Sequence, residues 1–175
     1  MSDAPTRLRP PEVAQFLRAT VTALAAELAA LSPAALDWHP APGAWCVKEV
    51  LGHLIETETR GFAGRIRIIL ASQDPTLESW DQNAVATARR DCDKEVRRLL
   101  GELATLRQES VRLVEGLTEA DLSRGGHHPT VGYLRVGDLL NEWIHHDRNH
   151  ARQILGNVQA YVWPHMGNAQ RFSAA

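Results

Sequence analysis

His146 and His150 are four residues apart in a segment, Glu142 to Ile154, whose apolar spacing predicts a helix. Residues four apart on a helix are neighbours, with Cβ atoms about 5 to 6 Å apart. Two imidazole nitrogens at that spacing can reach one cation at about 2.0 to 2.1 Å each. The pair therefore predicts part of a metal site, whose third ligand must come from elsewhere in the chain.

The helical rotation predicts that both rings face the protein interior. At about 100° per residue, an arc of about 80° holds the apolar residues and both rings: Leu139, Trp143, His146, His150 and Ile154. His145 points about 100° away from His146. Both histidines could instead be core residues that hydrogen-bond to other side chains or stack on Trp143. Two neutral imidazoles side by side in a core each need a partner, and a metal satisfies both at once.

His53 is the best candidate for the third ligand. It lies at the border of the apolar stripe of an earlier helix, about 60° from Val50, where it could face a cleft between helices. As an isolated residue it would more often be a partly buried, hydrogen-bonded histidine. Three histidines with open positions are typical of a catalytic zinc site, whereas a closed structural site needs a fourth protein ligand. Imidazole also suits nickel, iron and copper, so the identity of the metal stays open.

Several other residues could orient a ligand or line a substrate opening: Glu58, Glu142, Asp147, Gln153, Trp143, Trp80 and His128. For each acid an ordinary salt bridge is the alternative, and Glu58 has Arg60 and Arg65 close by in the sequence. Histidines in loops, such as His128, are mostly solvated. No residue is assigned as a catalytic acid or base.

The elements that must position these residues are helical. Apolar residues recur at three- and four-residue intervals in four segments: from Pro10 to about Leu31, Val47 to Leu70, Ala86 to Leu117, and Arg135 to Leu155, where Gly156 predicts the end. Residues 71–83 and 121–133 are predicted loops. We therefore predict an all-α, four-helix bundle without strands, in one domain over residues 1–175, with a core from about 10 to 155 and a tail over 156–175.

Composition excludes several classes of function. A formal net charge of −2 gives no electrostatic footprint for nucleic acid, and no apolar run approaches the length of a membrane span. The two cysteines, Cys46 and Cys92, lack the spacing of a zinc knuckle or a redox dithiol, and no secretory segment opens the chain. We expect a cytoplasmic protein with neither nucleic acid nor membrane as partner. Cys46 is interpreted as a poor helix cap, closed by Glu49.

Five stretches of the chain, in this order, resemble the DinB-like superfamily, the DNA-damage-inducible or YfiT-like group. They are Trp38-His39-Pro40, the segment GAWCVKEVLGHLIETE over residues 43–58, Ser79-Trp80-Asp81, Leu106-Arg107, and HDRNHARQI over residues 146–154. The resemblance spans residues from about 31 to 155. The ordered combination is far more specific than any one piece.

The resemblance implies a four-helix bundle with an up-down-down-up course, usually a homodimer, that holds a divalent metal on three histidines. At the matching positions these are His53, His146 and His150, in agreement with the helical geometry. Zinc or nickel is the expected metal. One departure is Cys46, where the family commonly has serine, and this weakens the helix cap by up to about 1 kcal/mol.

The function that the resemblance implies is metal-dependent chemistry on a small electrophilic substrate. The activated nucleophile is either a low-molecular-weight thiol, which would make the protein an S-transferase, or water, which would make it a hydrolase. The alternative is a stress-response protein that binds metal or a small ligand without turnover. Fold alone does not decide between these.

Overall fold

The computed structural model describes residues 6–173, most of which are helical. The helices are α1 Pro10–Ala29, α2 Pro33–Asp37, α3 Val47–Glu56, α4 Phe62–Ala71, α5 Gln82–Arg89, α6 Val96–Glu115, α7 Glu119–Ser123, α8 Val136–Val162 and α9 Gln170–Ser173. A hairpin of two strands, β1 Gly125–His128 and β2 Gly132–Arg135, lies between α7 and α8. Within the described residues, no helix combines the length and apolar content needed to cross a bilayer.

Local sequence explains where several helices begin. Pro10 occupies the first position of α1, where a missing N–H costs no hydrogen bond. At α3 the backbone N–H of Cys46 donates to Oε2 of Glu49 at 2.8 Å, as the sequence predicts. At α5 the carboxylate of Asp81 accepts from the backbone N–H of Asn83 at 2.8 Å.

Four long helical segments form the bundle. They are α1, the segment α3–α4 in which the two helices are consecutive, α6, and α8. Helix α1 packs mainly against α6 and α8, and α3 packs against the same two helices. Helices α1 and α3 therefore lie diagonally opposite each other, and α3 is in direct contact with α8. This contact sets the segment that carries His53 beside the segment that carries His146 and His150.

Two apolar clusters, one at each end of the bundle, define the direction of each helix. The first joins the start of α1, α4, the end of α6 and the start of α8: Val13, Leu17, Phe62, Ile66, Val111, Val114, Leu139 and Trp143. The second joins the end of α1, α3, the start of α6 and the later part of α8: Leu24, Leu28, Val50, Leu54, Leu99, Leu103 and Ile154. Helices α1 and α8 thus run one way, and α3–α4 and α6 run the other way. The predicted four-helix bundle and its up-down-down-up course are confirmed.

The predicted second helix is interrupted by a π-helical turn, Thr57–Gly61, between α3 and α4. A π turn adds a residue to a helical turn and changes which side chains face the core beyond it. Glu58 lies on this turn and is 1% exposed. Gly64 permits the tight backbone that follows, because a Cβ at this position would lie 1.9 Å from the backbone oxygen of Thr59.

The prediction of one helix from Ala86 to Leu117 is wrong, because the chain breaks between α5 and α6. Arg90 adopts a left-handed φ of 51° and ends α5, and a short 3₁₀ turn follows over Asp91–Asp93. The Asp91 carboxylate is buried and accepts from Nε of Arg89 at 2.7 Å and Nζ of Lys94 at 2.8 Å. These buried contacts stabilise the turn. The spacing of apolar residues in this segment does not predict contacts between charged side chains.

The predicted loop over residues 121–133, and with it the absence of strands, is also wrong. The segment contains the end of α7 and strand β1, which pairs antiparallel with β2 so that His128 lies opposite Gly132. The hairpin is tied to the preceding loop, because the backbone N–H of Leu77 donates to the carbonyl of His127 at 2.8 Å. Strands of four residues are too short to show a reliable alternation of apolar and polar residues.

The last long helix ends later than predicted. Helix α8 continues to Val162, so Gly156 lies inside it and is not a stop. A glycine inside a helix costs only about 1 kcal/mol, and packing can outweigh that cost. Asn157, in the predicted tail, is buried and donates to the carbonyl of Trp45 at 2.9 Å.

Candidate metal centre

The three histidines of the sequence prediction lie together between α3 and α8. One ring nitrogen of each of His53, His146 and His150 lies within 4.8 Å of those of the other two. Nε2 of His53 is 2.9 Å from Nε2 of His146. Two nitrogens bound to one tetrahedral cation would lie about 3.3 Å apart at the usual bond lengths. The three rings therefore converge at the spacing that a shared cation requires.

The adjacent histidine points elsewhere, as the helical rotation predicts. The side chain of His145 is 69% exposed and lies near the carboxylate of Glu142. The rings of His146 and His150, in contrast, have their centroids 4.4 Å apart on the inner face of α8.

Burial keeps the three rings neutral. Burial, and next the neighbouring His150, lowers the pKa of both His53 and His146 to about 3. Burial also lowers the pKa of His150, against the opposing effect of a hydrogen bond to Gln153. Neutral imidazoles offer a lone pair to a metal at physiological pH without first losing a proton.

Gln153 orients the third ring. Its Oε1 lies 2.8 Å from Nδ1 of His150, so Nδ1–H donates and Nε2 carries the lone pair that faces the other two rings. Hydrogen bonding of the distal ring nitrogen is characteristic of metal-binding histidines. Nδ1 of His53 and of His146 are buried and have no hydrogen-bond partner among the described residues.

Aromatic side chains enclose the rings. Trp45 packs on His53 with ring centroids 5.1 Å apart, Trp80 approaches the same ring at 5.8 Å, and Phe62 meets the edge of His146 at 5.2 Å. Apolar walls raise the cost of leaving polar nitrogens unpaired and strengthen electrostatic contacts with a bound cation. A donor set of three neutral imidazoles in such walls suits zinc and other imidazole-binding metals.

A cavity of about 710 Å³ opens beside His53 and His146. Its walls come from the π turn and α4, the loop after α4, the hairpin and the start of α8, and they include Trp80, Arg65, His128 and Glu142. Nη2 of Arg65 donates to the carbonyl of Glu78 at 3.1 Å and lies 3.1 Å from Nε2 of His128. Trp80, His128 and Glu142 all border this cavity, and the roles expected of them stay predictions.

Glu58 and Asp147 form buried ion pairs, the alternative that the sequence analysis gave for each acid, although the arginine that Glu58 pairs with was not the one expected. Both are buried against the guanidinium of Arg107, whose Nη2 lies 2.7 Å from Oε1 of Glu58. Glu58 pairs with neither Arg60 nor Arg65. Burial raises the pKa of Glu58, and the charge of Arg107 opposes that rise. The two acids thus belong to a buried ion triad behind the rings, and neither borders the cavity.

Trp143 does not line the cavity either. It is fully buried, stacks on Phe62 with ring centroids 5.1 Å apart, and lies under the guanidinium of Arg107. Its place is the first apolar cluster, because α8 turns this residue toward α4.

Three residues that lie near the site were given no place in it by the sequence analysis: Trp45, Arg65 and Arg107. Trp45 lies in a turn-rich connection without periodicity, so no pattern indicates which way its ring points. Arg65 and Arg107 have many charged neighbours in the sequence, and such residues are expected to be exposed to solvent. Only the pairing of helices distant in sequence distinguishes a buried arginine from a surface one.

Known proteins resemble this chain over most of its length. A candidate metal-dependent hydrolase of Bacillus licheniformis is 27% identical over 138 residues, which cover 77% of each chain. Another, of Oceanobacillus iheyensis, is 21% identical over 128 residues, or 73% of each chain. The structure matches YfiT from Bacillus subtilis, described as a probable metal-dependent hydrolase with an unusual four-helix bundle topology, with a TM-score of 0.82, 20% identity and 93% of each chain covered.

The family model of the DinB superfamily matches residues 6–154, a range that contains α1 through most of α8 and all three converging histidines. The chain belongs to the DinB superfamily.

Proposed function

We propose that this protein is a metal-dependent hydrolase whose divalent cation is bound by His53, His146 and His150. The observation that carries the proposal is the convergence of three neutral imidazoles, one buried and two half-buried, at the edge of a cavity. Three histidines leave open positions for water and substrate, which is the arrangement of catalytic zinc sites. When bound, the cation supplies Lewis acidity that polarises a substrate and acidifies water. The names of the Bacillus licheniformis and Oceanobacillus iheyensis relatives support hydrolysis over thiol transfer.

The side chains around the rings have defined parts in this proposal. Gln153 holds the His150 ring in the orientation that presents Nε2. Trp45 and Trp80 exclude bulk water from His53, which strengthens electrostatic contacts in the site. The ion triad of Arg107, Glu58 and Asp147 fixes α8 relative to the π turn and α6, and so keeps the histidines in register.

Arg65 favours a substrate that carries an anionic group. Its guanidinium is half-buried in the cavity wall and forms no ion pair with a carboxylate among the residues described. Burial without a counter-charge lowers the pKa of Arg65. A carboxylate or phosphate of the substrate would restore the missing counter-charge, and arginine binds both in a bidentate manner. The Arg65→Met variant should raise KM for an anionic substrate more than for a neutral one of the same size.

The test of the function is metal-dependent turnover. Full-length protein is stripped with a chelator, reloaded with zinc or nickel, and assayed with chromogenic ester, amide and phosphoester substrates. Parallel reactions contain a low-molecular-weight thiol and monochlorobimane, which report S-transfer. We expect hydrolysis that needs metal, that is lost in His150→Ala, and that survives in His145→Ala, the matched control on the exposed side of α8.

Other outcomes assign the protein differently. Metal-dependent conjugation of the thiol without hydrolysis would identify the S-transferase. Tight metal binding without any turnover would favour the non-catalytic binder. The homodimer expected from the resemblance stays a prediction, which light scattering on the purified protein tests.

A further inference from the structure

A second group of metal-binding side chains lies outside the three-histidine centre, at the start of α3. It consists of His39 before α3, Cys46 and Glu49 at its first turn, and Cys92 on the 3₁₀ turn between α5 and α6. One ligand atom from each residue lies within 4.8 Å of those of the other three. Sγ of Cys46 is 2.7 Å from Sγ of Cys92, and Sγ of Cys92 is 3.8 Å from Nε2 of His39.

Two of these ligands are already oriented by backbone groups. Nδ1 of His39 lies 2.8 Å from the carbonyl oxygen of Ala44, so Nδ1–H donates and Nε2 carries the lone pair that faces Cys92. A backbone carbonyl on the distal nitrogen is a common feature around metal-binding histidines. The Glu49 carboxylate is fixed by the backbone N–H of Cys46, at 2.8 Å from Oε2, and the same oxygen lies 3.6 Å from Nδ1 of His39.

The turn that carries Cys92 is held firmly against α3. Nζ of Lys48 donates to the carbonyl of Cys92 at 2.9 Å. The neighbouring Asp91 lies so close to α3 that a Cβ at Gly52 would be 1.7 Å from its Oδ2. Asp91 is itself buried and paired with Arg89. Two elements distant in sequence are therefore locked together at the point where the two sulfurs meet.

Neutral thiols do not explain the whole arrangement. Burial raises the pKa of both Cys46 and Cys92, so without a cation both are protonated. A disulfide would use the two sulfurs but would not explain why Nε2 of His39 faces Cys92, whereas Glu49 caps α3 in either case. A cation uses all four residues, and it requires the sulfurs to separate by about 1 Å, to the spacing of about 3.8 Å that tetrahedral zinc imposes.

We propose that His39, Cys46, Glu49 and Cys92 form a second metal site, which binds zinc or a similar thiolate-preferring cation. Four protein ligands close the coordination sphere, so the site is structural and distinct from the open centre on α3 and α8. Binding releases the two thiol protons to solvent as the Sγ–metal bonds form. The cation ties the turn between α5 and α6 to the start of α3, the helix that carries His53.

Cobalt separates the two sites, because thiolate ligands give Co²⁺ an intense near-ultraviolet charge-transfer band that imidazoles do not. Reduced, metal-free, full-length protein is titrated with Co²⁺. We expect the band to saturate at one equivalent in the His53→Ala/His146→Ala variant and by two equivalents in the wild type, which holds both sites. Cys46→Ser and Cys92→Ser each remove one of the two thiolates, so the band should fall to half or less in each, while circular dichroism shows intact helices. Serine is the better helix cap at position 46, so a weaker band there is not a folding defect.

Metal counting gives the second readout. After loading with zinc, the wild type should retain one more equivalent than Cys92→Ser and one more than His53→Ala/His146→Ala. The absence of a charge-transfer band in the reduced wild type would overturn the proposal. A disulfide in the purified protein would also overturn it. Non-reduced protein, purified without added metal, would then have an intact mass lower by two hydrogens and the same metal content as Cys92→Ser. Neither of these two outcomes contradicts the three-histidine proposal, because the variants that test it are measured separately.

Discussion

Nη2 of Arg107 lies 2.7 Å from Oε1 of Glu58 at a depth where neither side chain is more than 3% exposed. The same guanidinium also binds Asp147 on α8 and donates to the carbonyl of Leu17 on α1 at 3.2 Å. One side chain of α6 thus contacts the other three segments of the bundle. The arrangement places one buried cation between two buried carboxylates beside the histidines.

Replacing Arg107 with methionine should destabilise the protein strongly. Methionine fills a similar volume but leaves Glu58 and Asp147 buried without a counter-charge, and breaking a buried pair costs about 3 to 5 kcal/mol. Urea denaturation measures the change in the free energy of unfolding. The control is Arg18→Met, which removes an exposed ion pair with Glu115 and should cost less than about 1 kcal/mol. Equal effects of the two substitutions would contradict the central place of Arg107.

Gly52→Ala should destabilise the contact between α3 and the turn at Asp91. The added Cβ would lie 1.7 Å from Oδ2 of Asp91, so the carboxylate must move away from Arg89. Overpacking of this kind costs about 1 to 3 kcal/mol. Gly101→Ala in α6 is the matched control, since nothing lies within 4 Å of its Cβ, and it should stabilise the helix by about 0.5 to 1 kcal/mol. Thermal unfolding of both variants checks the opposite signs.

The metal-free protein should lose stability as the pH falls below about 6.5. The pKa of His53 and of His146 is about 3 in the folded chain, against 6.5 for a free histidine. Between these values the unfolded chain binds more protons, so acid favours unfolding until the pH reaches about 3. Each histidine contributes a slope of up to about 1.4 kcal/mol per pH unit.

The variant His53→Gln/His146→Gln isolates this contribution. In urea denaturation at several pH values with a chelator present, the variant should show a shallower loss of unfolding free energy toward acid than the wild type. His145→Gln, whose ring is largely exposed, should keep the wild-type slope. An unchanged slope in the double variant would show that the two rings are not buried as neutral groups.

Gln153→Ala should weaken metal binding without removing a ligand. It frees Nδ1 of His150, whose partner Oε1 lies at 2.8 Å, so the ring loses its fixed orientation. Loss of such a partner typically costs 10 to 100-fold in metal affinity, that is, roughly those factors in Kd. Competition with a chromogenic chelator measures the affinity, in a chain whose cysteines are replaced by serine so that only the three-histidine centre is titrated. Arg152→Ala, a neighbouring exposed residue, should leave Kd unchanged.

Much of the candidate site could be predicted from the sequence because its information is local. The spacing of His146 and His150 and the phase of the apolar residues determine that both rings share the inner face of α8. The same phase predicts that His145 faces outward, as its exposure confirms. A helix converts residue spacing directly into direction, so no knowledge of the other helices is needed.

The resemblance supplied what the local pattern left open. His53 is only one of several histidines, and the periodicity of its helix places it merely at the border of the apolar stripe. The family motif singles it out, and the contact between α3 and α8 then brings its Nε2 to 2.9 Å from Nε2 of His146.

Only the tertiary structure decided the partners of Arg107, the break at Arg90 and the meeting of Cys46 with Cys92. Arg107 is 49 residues from Glu58 and 40 from Asp147, and the two cysteines are 46 residues apart. Apolar periodicity predicts which side chains share a face of one helix, but it does not predict which other helix that face will contact. Those contacts depend on how all four segments pack together. A buried charge or thiol contacts its partner only when parts of the chain that are distant in sequence pack into one core.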